Sequence, residues 1–234
     1  MPNAASLEVA GFVPLSTVDR PGDLTATVFT QGCPWRCPYC HNPHLQAVHV
    51  LPEGRTKERW TWARVMSFLS TRRGLLDGIA FSGGEPTVQP ALVEAVCDAR
   101  DAGFAAYLHT GGPVPDALAA VLPSLAWVGF DVKAPFDEYE RVTMVRGSGI
   151  RALKSLRLLV ASGVPFEART TVHSAQLDMP ALERLADDLA AEGVSAWVLQ
   201  ESRMQGTRPG TPPNTLTLNR LGALRERVPT ISIR

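Results

Sequence analysis

Three of the chain's four cysteines fall within eight positions, in the stretch TQGCPWRCPYCHNP at residues 30–43. Cys33, Cys37 and Cys40 are spaced C-x3-C-x2-C, and the fourth cysteine, Cys97, lies more than fifty residues downstream. Cysteine thiolates hold iron–sulfur clusters, commonly four to a cluster. Three on one loop would leave one iron of a four-iron cluster without a protein ligand, and an open metal position is where a small molecule binds. Zinc is the competing reading, because His44 would complete a Cys3His set with Cys33, Cys37 and Cys40. A disulfide is disfavoured, since so tight a spacing strains the bridge.

Further residues could do chemistry beside these thiols. In Ser82-Gly83-Gly84-Glu85-Pro86 the glycines let the backbone come close to a ligand, and carbonyls plus Glu85 can accept from an ammonium. By itself the stretch reads equally well as a plain β–α turn. In Asp131-Val132-Lys133 the first and third residues point the same way on a strand, so both charges face one side. Alone, that pair is a solvated ion pair of little value. His109-Thr110-Gly111-Gly112, Arg169 and Gln200 complete the candidates.

The elements that must position them alternate along the chain. Candidate strands are Leu24–Thr30, Gly78–Ser82, Phe104–His109, Trp127–Val132, Phe166–Val172 and Ala196–Gln200. Between them Trp62, Val65, Met66 and Leu69 repeat at one face of a helix, as do Leu182, Leu185, Ala186 and Leu189. Leu153, Leu156 and Val160 give a weaker stripe, as do Leu221, Leu224 and Val228. Pro90 and Pro180 suit a first helical turn, and Gly103, Gly163 and Gly193 suit helix ends. Cys97 falls at the edge of the stripe of Leu92, Val93 and Val96, as an inert half-buried thiol would. Six strands alternating with helices argue for parallel βαβ units, either closed part-way into a barrel or open as a doubly wound sheet. The cysteine stretch, SGGEP, His109–Gly112, Asp131 and Lys133 each sit at a strand's C-terminal end, the edge that carries the active site in parallel α/β folds.

A chain of 234 residues suits one domain. We expect residues 1–23 as an N-terminal segment, 24–200 as the six-stranded core and 201–234 as a loop, Gly206–Thr215, with a last helix. The 23 basic and 23 acidic residues balance, so neither nucleic acid nor an acidic membrane is an expected partner. The opening residues carry no basic segment followed by an apolar run, and no stretch approaches the ~18 apolar residues of a membrane span. The expected location is the cytoplasm, where clustered cysteines mean metal or catalysis.

Taken in order, Cys33-x3-Cys37-x2-Cys40 with Tyr39, then SGGEP, then Asp131-x-Lys133 resemble the radical S-adenosylmethionine (SAM) superfamily. The resemblance implies a partial (β/α)6 barrel. It implies that Cys33, Cys37 and Cys40 hold a [4Fe–4S] cluster whose fourth iron takes the amino and carboxylate groups of SAM. It also implies SAM contacts from Tyr39, His41, Ser82, Gly83, Gly84, Glu85, Thr110, Asp131, Lys133, Arg169 and Gln200. Cys40-His41-Asn42-Pro43, and Gly11-Phe12 with Ser16, Asp19, Pro21 and Gly22, resemble the activases of glycyl-radical enzymes, most of all the anaerobic ribonucleoside-triphosphate reductase activating proteins. That likeness implies a glycyl-radical enzyme as partner and a low-potential donor such as flavodoxin or ferredoxin. The chain departs from many activases at His109, which stands where an aspartate helps hold a monovalent cation, so His109 is expected as a polar lining residue instead. The alternatives are a radical SAM enzyme acting on a small molecule, such as a deazapurine precursor or a tetrahydropterin, and a zinc-stabilised binding protein.

The ligand reading has a direct test. Single Cys33→Ser, Cys37→Ser and Cys40→Ser variants should lose iron and sulfide after anaerobic reconstitution, and Cys97→Ser should keep both. Iron and sulfide analysis decides it; zinc alone, or a Cys97→Ser protein without iron, would sink the assignment.

Overall fold

The computed structural model describes residues 3–47, 60–203, 205–215 and 222–234. Eight strands form one sheet in sequential order, β1 (Val9–Ser16), β2 (Thr25–Thr30), β3 (Gly78–Gly83), β4 (Ala105–Thr110), β5 (Trp127–Asp131), β6 (Phe166–Val172), β7 (Ala196–Glu201) and β8 (Thr230–Ile233). β1 runs antiparallel to β2, and every later pair is parallel. A doubly wound sheet reverses its strand order at a switch point. This order never reverses, so the helices stay on one side and the sheet curls toward a barrel. The fold is the partial (β/α)6 barrel, with β1 and β8 added at its two edges.

The helices follow the apolar stripes. α1 (Trp62–Ser70) is capped by Thr61, whose hydroxyl accepts from Arg64 N, and it buries Trp62, Val65 and Leu69. α2 (Leu92–Asp101) begins after an Ala91 cap, so Pro90 precedes the first turn rather than lying in it. α3 (Pro115–Val121) and α4 (Tyr139–Thr143) are short. α5 (Ser148–Ser162) ends on left-handed Gly163 and buries Ala152, Ser155, Leu156 and Leu159. Val160, expected on that face, is exposed. α6 (Met179–Ala191) is capped by Asp178, takes Pro180 in its first turn and buries Leu182, Leu185, Ala186 and Leu189. The expected last helix shrinks to α7 (Gly222–Arg225). Leu221 lies outside the described residues, and Val228 is buried beyond α7 in the turn to β8.

The two edge strands were not expected from the sequence. β1 contains Gly11 and Pro14, which demote a strand pattern. An edge strand tolerates them, and its pairing with β2 shifts register beside each residue. β8 is four residues long and offers only Ile231 and Ile233 as apolar signal.

The sheet's two faces differ. Ile79 and Phe81 of β3, Ala106 and Leu108 of β4, and Val128 and Phe130 of β5 pack outward into the main core against the helices. The alternate residues Ala80, Tyr107 and Trp127 form a small separate cluster on the inner face. The connection from β1 to β2 fills the space beside it. Tyr107 donates to Asp23 Oδ2 at 2.5 Å, and the Arg20 guanidinium lies 5.1 Å from the Trp127 ring. Thr27 donates to Asp19 Oδ2 at 2.5 Å, and His109 Nε2 lies 2.7 Å from the Asp19 carbonyl. That carbonyl only accepts, so Nε2 carries the proton and donates. The segment ahead of β2 is therefore a plug inserted into the barrel.

Burial, then the Arg169 charge, holds His109 down from 6.5 to about 4, although Asp19 opposes. Its folded value is depressed, so the unfolded chain binds more protons between those limits. Its contribution is complete above pH 6.5 and is lost as pH falls toward 4, by about 3 kcal/mol in all. Urea unfolding from pH 7 to 4 should show this loss in wild type and a shallower one in His109→Gln; parallel curves would refute it.

Candidate active site

The site grows out of the β2 end and the turn after β3. Gly83 has φ +115°, and a Cβ there would lie 2.4 Å from Thr30 N. Gly84 packs as closely, with its would-be Cβ 2.8 Å from Leu45 O. Both positions require glycine, because the turn lies backbone to backbone on the cysteine loop. Glu85 N donates to Gly32 O at 2.8 Å, Gly32 N to Leu45 O at 2.8 Å and Cys33 N to Gln46 O at 3.2 Å.

One cleft of about 650 Å³ opens at the C-terminal rim of the strands. Its walls include all three clustered cysteines and Tyr39, His41, Ser82, Gly83, Gly84, Glu85, Thr110, Asp131, Lys133, Arg169 and Gln200. The structure thus brings the three cysteines and all the residues expected to contact SAM onto one surface. His109 and Asp19 line it too, the latter from the plug. His44 is exposed and is not part of the wall, so it does not complete a Cys3His set there. Cys97 is half-buried, 3.8 Å from the Ser124 hydroxyl and away from the cleft.

The cysteines form no disulfide. Burial, and then Glu85, pushes Cys33 up to about 12; burial lifts Cys37 to about 11 although Lys133 opposes it. Among the described residues no three His, Cys, Asp or Glu side chains stand ready-made as a metal site. The three cysteines share one wall of the cleft, and burial favours the protonated form of Cys33 and Cys37. Binding must expel those protons, and this couples metal affinity to pH. The donor set itself fits an iron–sulfur cluster: three soft thiols side by side, with the buried Tyr39 hydroxyl unpartnered beside them.

Glu85 was expected to accept from an ammonium, but the structure gives its carboxylate other donors. Oε1 accepts from Thr87 N at 3.0 Å, Thr87 Oγ1 at 2.7 Å and Thr110 Oγ1 at 2.6 Å, and Oε2 accepts from Gly111 N at 3.0 Å. Burial still pushes its carboxyl up against all four. Glu85 ties the turn after β3 to the end of β4.

Asp131 sits between two cations. Lys133 Nζ lies 2.9 Å from one carboxylate oxygen and Arg169 Nε 3.3 Å from the other. Burial would raise Asp131, but Lys133 and Arg169 outweigh it and hold the carboxyl below its usual range. Burial would lower Lys133, but Asp131 and Cys37 outweigh it and hold the ammonium above its ordinary value. The Arg169 guanidinium also donates to Gly129 O at 3.1 Å and lies 5.8 Å from the Trp127 ring. A Cβ at Gly129 would overlap it. The missing side chain at 129 is thus what lets Arg169 lie flat across β5. Across the cleft, His41 Nε2 lies 3.1 Å from Arg203 O, and the Tyr39 ring stacks on His173 at 6.3 Å.

Sequence reasoning missed several wall residues, among them Trp35, Gln46, Arg203, Gln205 and Arg234. Arg234 follows β8 and pairs with Glu167 at 2.7 Å. Its only signal was the weak alternation of the strand before it.

The radical SAM superfamily profile matches residues 27–189, which hold the cysteine loop, the SGGEP turn and the Asp131–Lys133 pair. The chain belongs to the radical SAM superfamily. Membership brings a [4Fe–4S] cluster and SAM as cofactors. A Methanocaldococcus jannaschii protein, named as a candidate glycyl-radical enzyme activating enzyme, is 33% identical over 76% of this chain and 73% of its own length. The PqqA peptide cyclase of Gluconobacter oxydans is 32% identical over 75% of this chain, which spans about half (49%) of that relative. Streptococcus suis SuiB, in a crystal structure with S-adenosylmethionine, superposes with a TM-score of 0.63 at 12% identity, over 87% of this chain and 48% of SuiB. No helix among the described residues is long and apolar enough to cross a membrane.

The Gly129–Arg169 contact is testable. Gly129→Ala should cost about 1–3 kcal/mol of stability by overpacking. The cost should largely vanish on an Arg169→Ala background, because neighbours in contact do not add. Additive losses in urea unfolding would show that the two do not meet.

Proposed function

We propose that the chain is a glycyl-radical-enzyme activase, and that its partner is an anaerobic ribonucleoside-triphosphate reductase. The observation that carries this reading is Asp19. It belongs to the activase-like segment ahead of β2, and it reaches the cleft that the three cysteines line. The relative from M. jannaschii supports the same class by its name.

In this reading Cys33, Cys37 and Cys40 ligate the cluster. A reduced cluster held there would supply the electron for reductive cleavage of SAM, the chemistry needed to abstract hydrogen from a glycine. Ser82, Gly83 and Gly84 meet the SAM amino group with backbone carbonyls. Lys133 takes the carboxylate, held in place by Asp131, while Asp131 is itself fixed by Arg169. Tyr39 and His41 flank the adenine, and Thr110 and Gln200 line the remaining wall. Glu85 keeps the turn after β3 in register. The protein orients the cofactors and excludes water. Asp19 stands where an incoming peptide loop meets the plug. The PqqA peptide cyclases support a second reading, in which the radical modifies a peptide and does not remain on it.

Two measurements test the proposal. Lys133→Ala should weaken SAM binding to the reconstituted protein about ten- to a hundredfold, the effect of losing a charge-assisted contact of roughly 1.5–3 kcal/mol. Unchanged affinity would remove Lys133 from the site. Reduced protein, SAM and the reductase, mixed anaerobically, should give a glycyl-radical doublet by electron paramagnetic resonance. SAM cleavage with no doublet, but with a modified peptide or small-molecule product, would overturn the activase reading.

A further inference from the structure

A buried polar group almost always has a hydrogen-bond partner, and one without calls for a functional account. Tyr39, the residue before Cys40, is 3% exposed, and its hydroxyl is wholly buried with no partner among the described residues. The ring is held in place. It stacks on His173 with centroids 6.3 Å apart and planes 11° from parallel. His173 is itself pinned, with Nε2 2.9 Å from Pro212 O and Nδ1 accepting from Ala175 N at 3.2 Å. The ring therefore has little freedom to carry its hydroxyl to another partner.

What surrounds the hydroxyl narrows the choice of partner. Burial, and then Cys37, Asp131 and Cys40, hold it well above its ordinary value, so it keeps its proton. These neighbours differ in what they already bind. Asp131 takes Lys133 on one carboxylate oxygen and Arg169 on the other. The Tyr139 hydroxyl, which also feels Tyr39 and Cys37, donates to Asp131 O at 3.3 Å and accepts from Lys133 N at 3.0 Å. That leaves the sulfurs of Cys37 and Cys40. A protonated thiol is a weak acceptor and a charged thiolate a strong one, so a bond from Tyr39 waits until the cysteines bind metal.

We infer that the Tyr39 hydroxyl donates a hydrogen bond to the Cys37 or Cys40 sulfur when these thiolates hold the cluster, and that this bond raises the cluster's reduction potential. Reduction adds negative charge to the cluster and its sulfurs. A donor aimed at a sulfur therefore favours the reduced form, and hydrogen bonds to the sulfurs are among the levers that set such potentials. The electron comes from an external one-electron reductant. The tyrosine proton stays on its oxygen, and no covalent bond forms or breaks. Ring and hydroxyl thus have separate roles: the ring flanks the adenine, and the hydroxyl tunes the sulfurs. The inference rests on the family assignment and on ligation by the three cysteines, not on the choice of a glycyl-radical substrate.

The test reconstitutes wild type and Tyr39→Phe, which keeps the ring, anaerobically with iron and sulfide. Tyr107→Phe makes the same change where the hydroxyl pairs with Asp23, away from the loop, and is the control. Iron and sulfide content score loading first. A wild type that takes up no iron would overturn the cysteine ligation and this inference together. Loading lost in Tyr39→Phe alone would overturn the inference too, because the hydroxyl would then serve assembly. A spectroelectrochemical titration without SAM reads the potential. In Tyr39→Phe the reduced-to-oxidised ratio at a fixed potential should fall about three- to tenfold, a shift of about 30–60 mV to lower potential at ~59 mV per tenfold change for one electron. Tyr107→Phe should match wild type. Resonance Raman should move an iron–thiolate stretch to higher frequency in Tyr39→Phe, the signature of a sulfur released from a hydrogen bond. Equal potentials in wild type and Tyr39→Phe would overturn the inference. So would an unchanged potential with weakened SAM binding by calorimetry, which would assign the hydroxyl to SAM. Trp35 Nε1 is the loop's other unpartnered donor; a lowered potential in Trp35→Phe with none in Tyr39→Phe would transfer the role to it and overturn the assignment to Tyr39.

Discussion

The inner face of the barrel carries charge, and a buried charge persists only when a partner compensates it. Most of the site follows from that constraint. Asp131 is held by Lys133 and Arg169, Glu85 by four donors, Asp19 by Thr27, Asp23 by Tyr107, and Glu167 by Arg234. Lys133 and Thr87 are local partners, but Arg169, Thr110, Gly111, Thr27, Tyr107 and Arg234 each reach from a different strand or loop, and these contacts fasten the strands to one another at the rim. Because few of the inner charges lack a partner, an incoming ligand must share or displace one. Such a surface selects ligands that carry charges of their own.

The plug is the second consequence. A barrel of few strands leaves an inner face too polar to collapse on itself, and the inner apolar cluster amounts to Ala80, Tyr107 and Trp127. The β1–β2 connection supplies what is missing. It brings Asp19, Arg20 and Asp23 in as hydrogen-bonding and stacking partners, and in doing so it forms part of the cleft wall. One segment thus both packs the inner face and lines the cleft. His109 donates to the Asp19 carbonyl, and burial with Arg169 disfavours its protonation.

The cysteine loop has two sides, one on the cleft and one on a second cavity. Facing inward, the loop presents three thiols to a polar wall. Facing outward, it presents Arg36 beside exposed Met144. Tyr39 stands between them, stacked on His173.

How much of this was legible in the sequence depended on whether the signal was local. Ligand spacing, glycine turns and the Asp131–Lys133 pair are set within a few residues, and the six parallel strands were bracketed by helical stripes, so each could be read directly. Their placement at strand ends was enough to predict one shared rim. The edge strands escaped because Pro14 and Gly11 look like strand breakers unless the strand is known to lie at an edge, and four residues of β8 carry too little pattern. Val160 was placed on the wrong face of α5 because Leu159 beside it offered an equally good stripe. Contacts between distant residues needed the tertiary structure: Arg169 over Gly129, Glu85 committed to Thr110 and Gly111, Asp19 under His109. Sequence fixes which groups are present and their local direction, but which charge compensates which depends on strands being curled around a common interior.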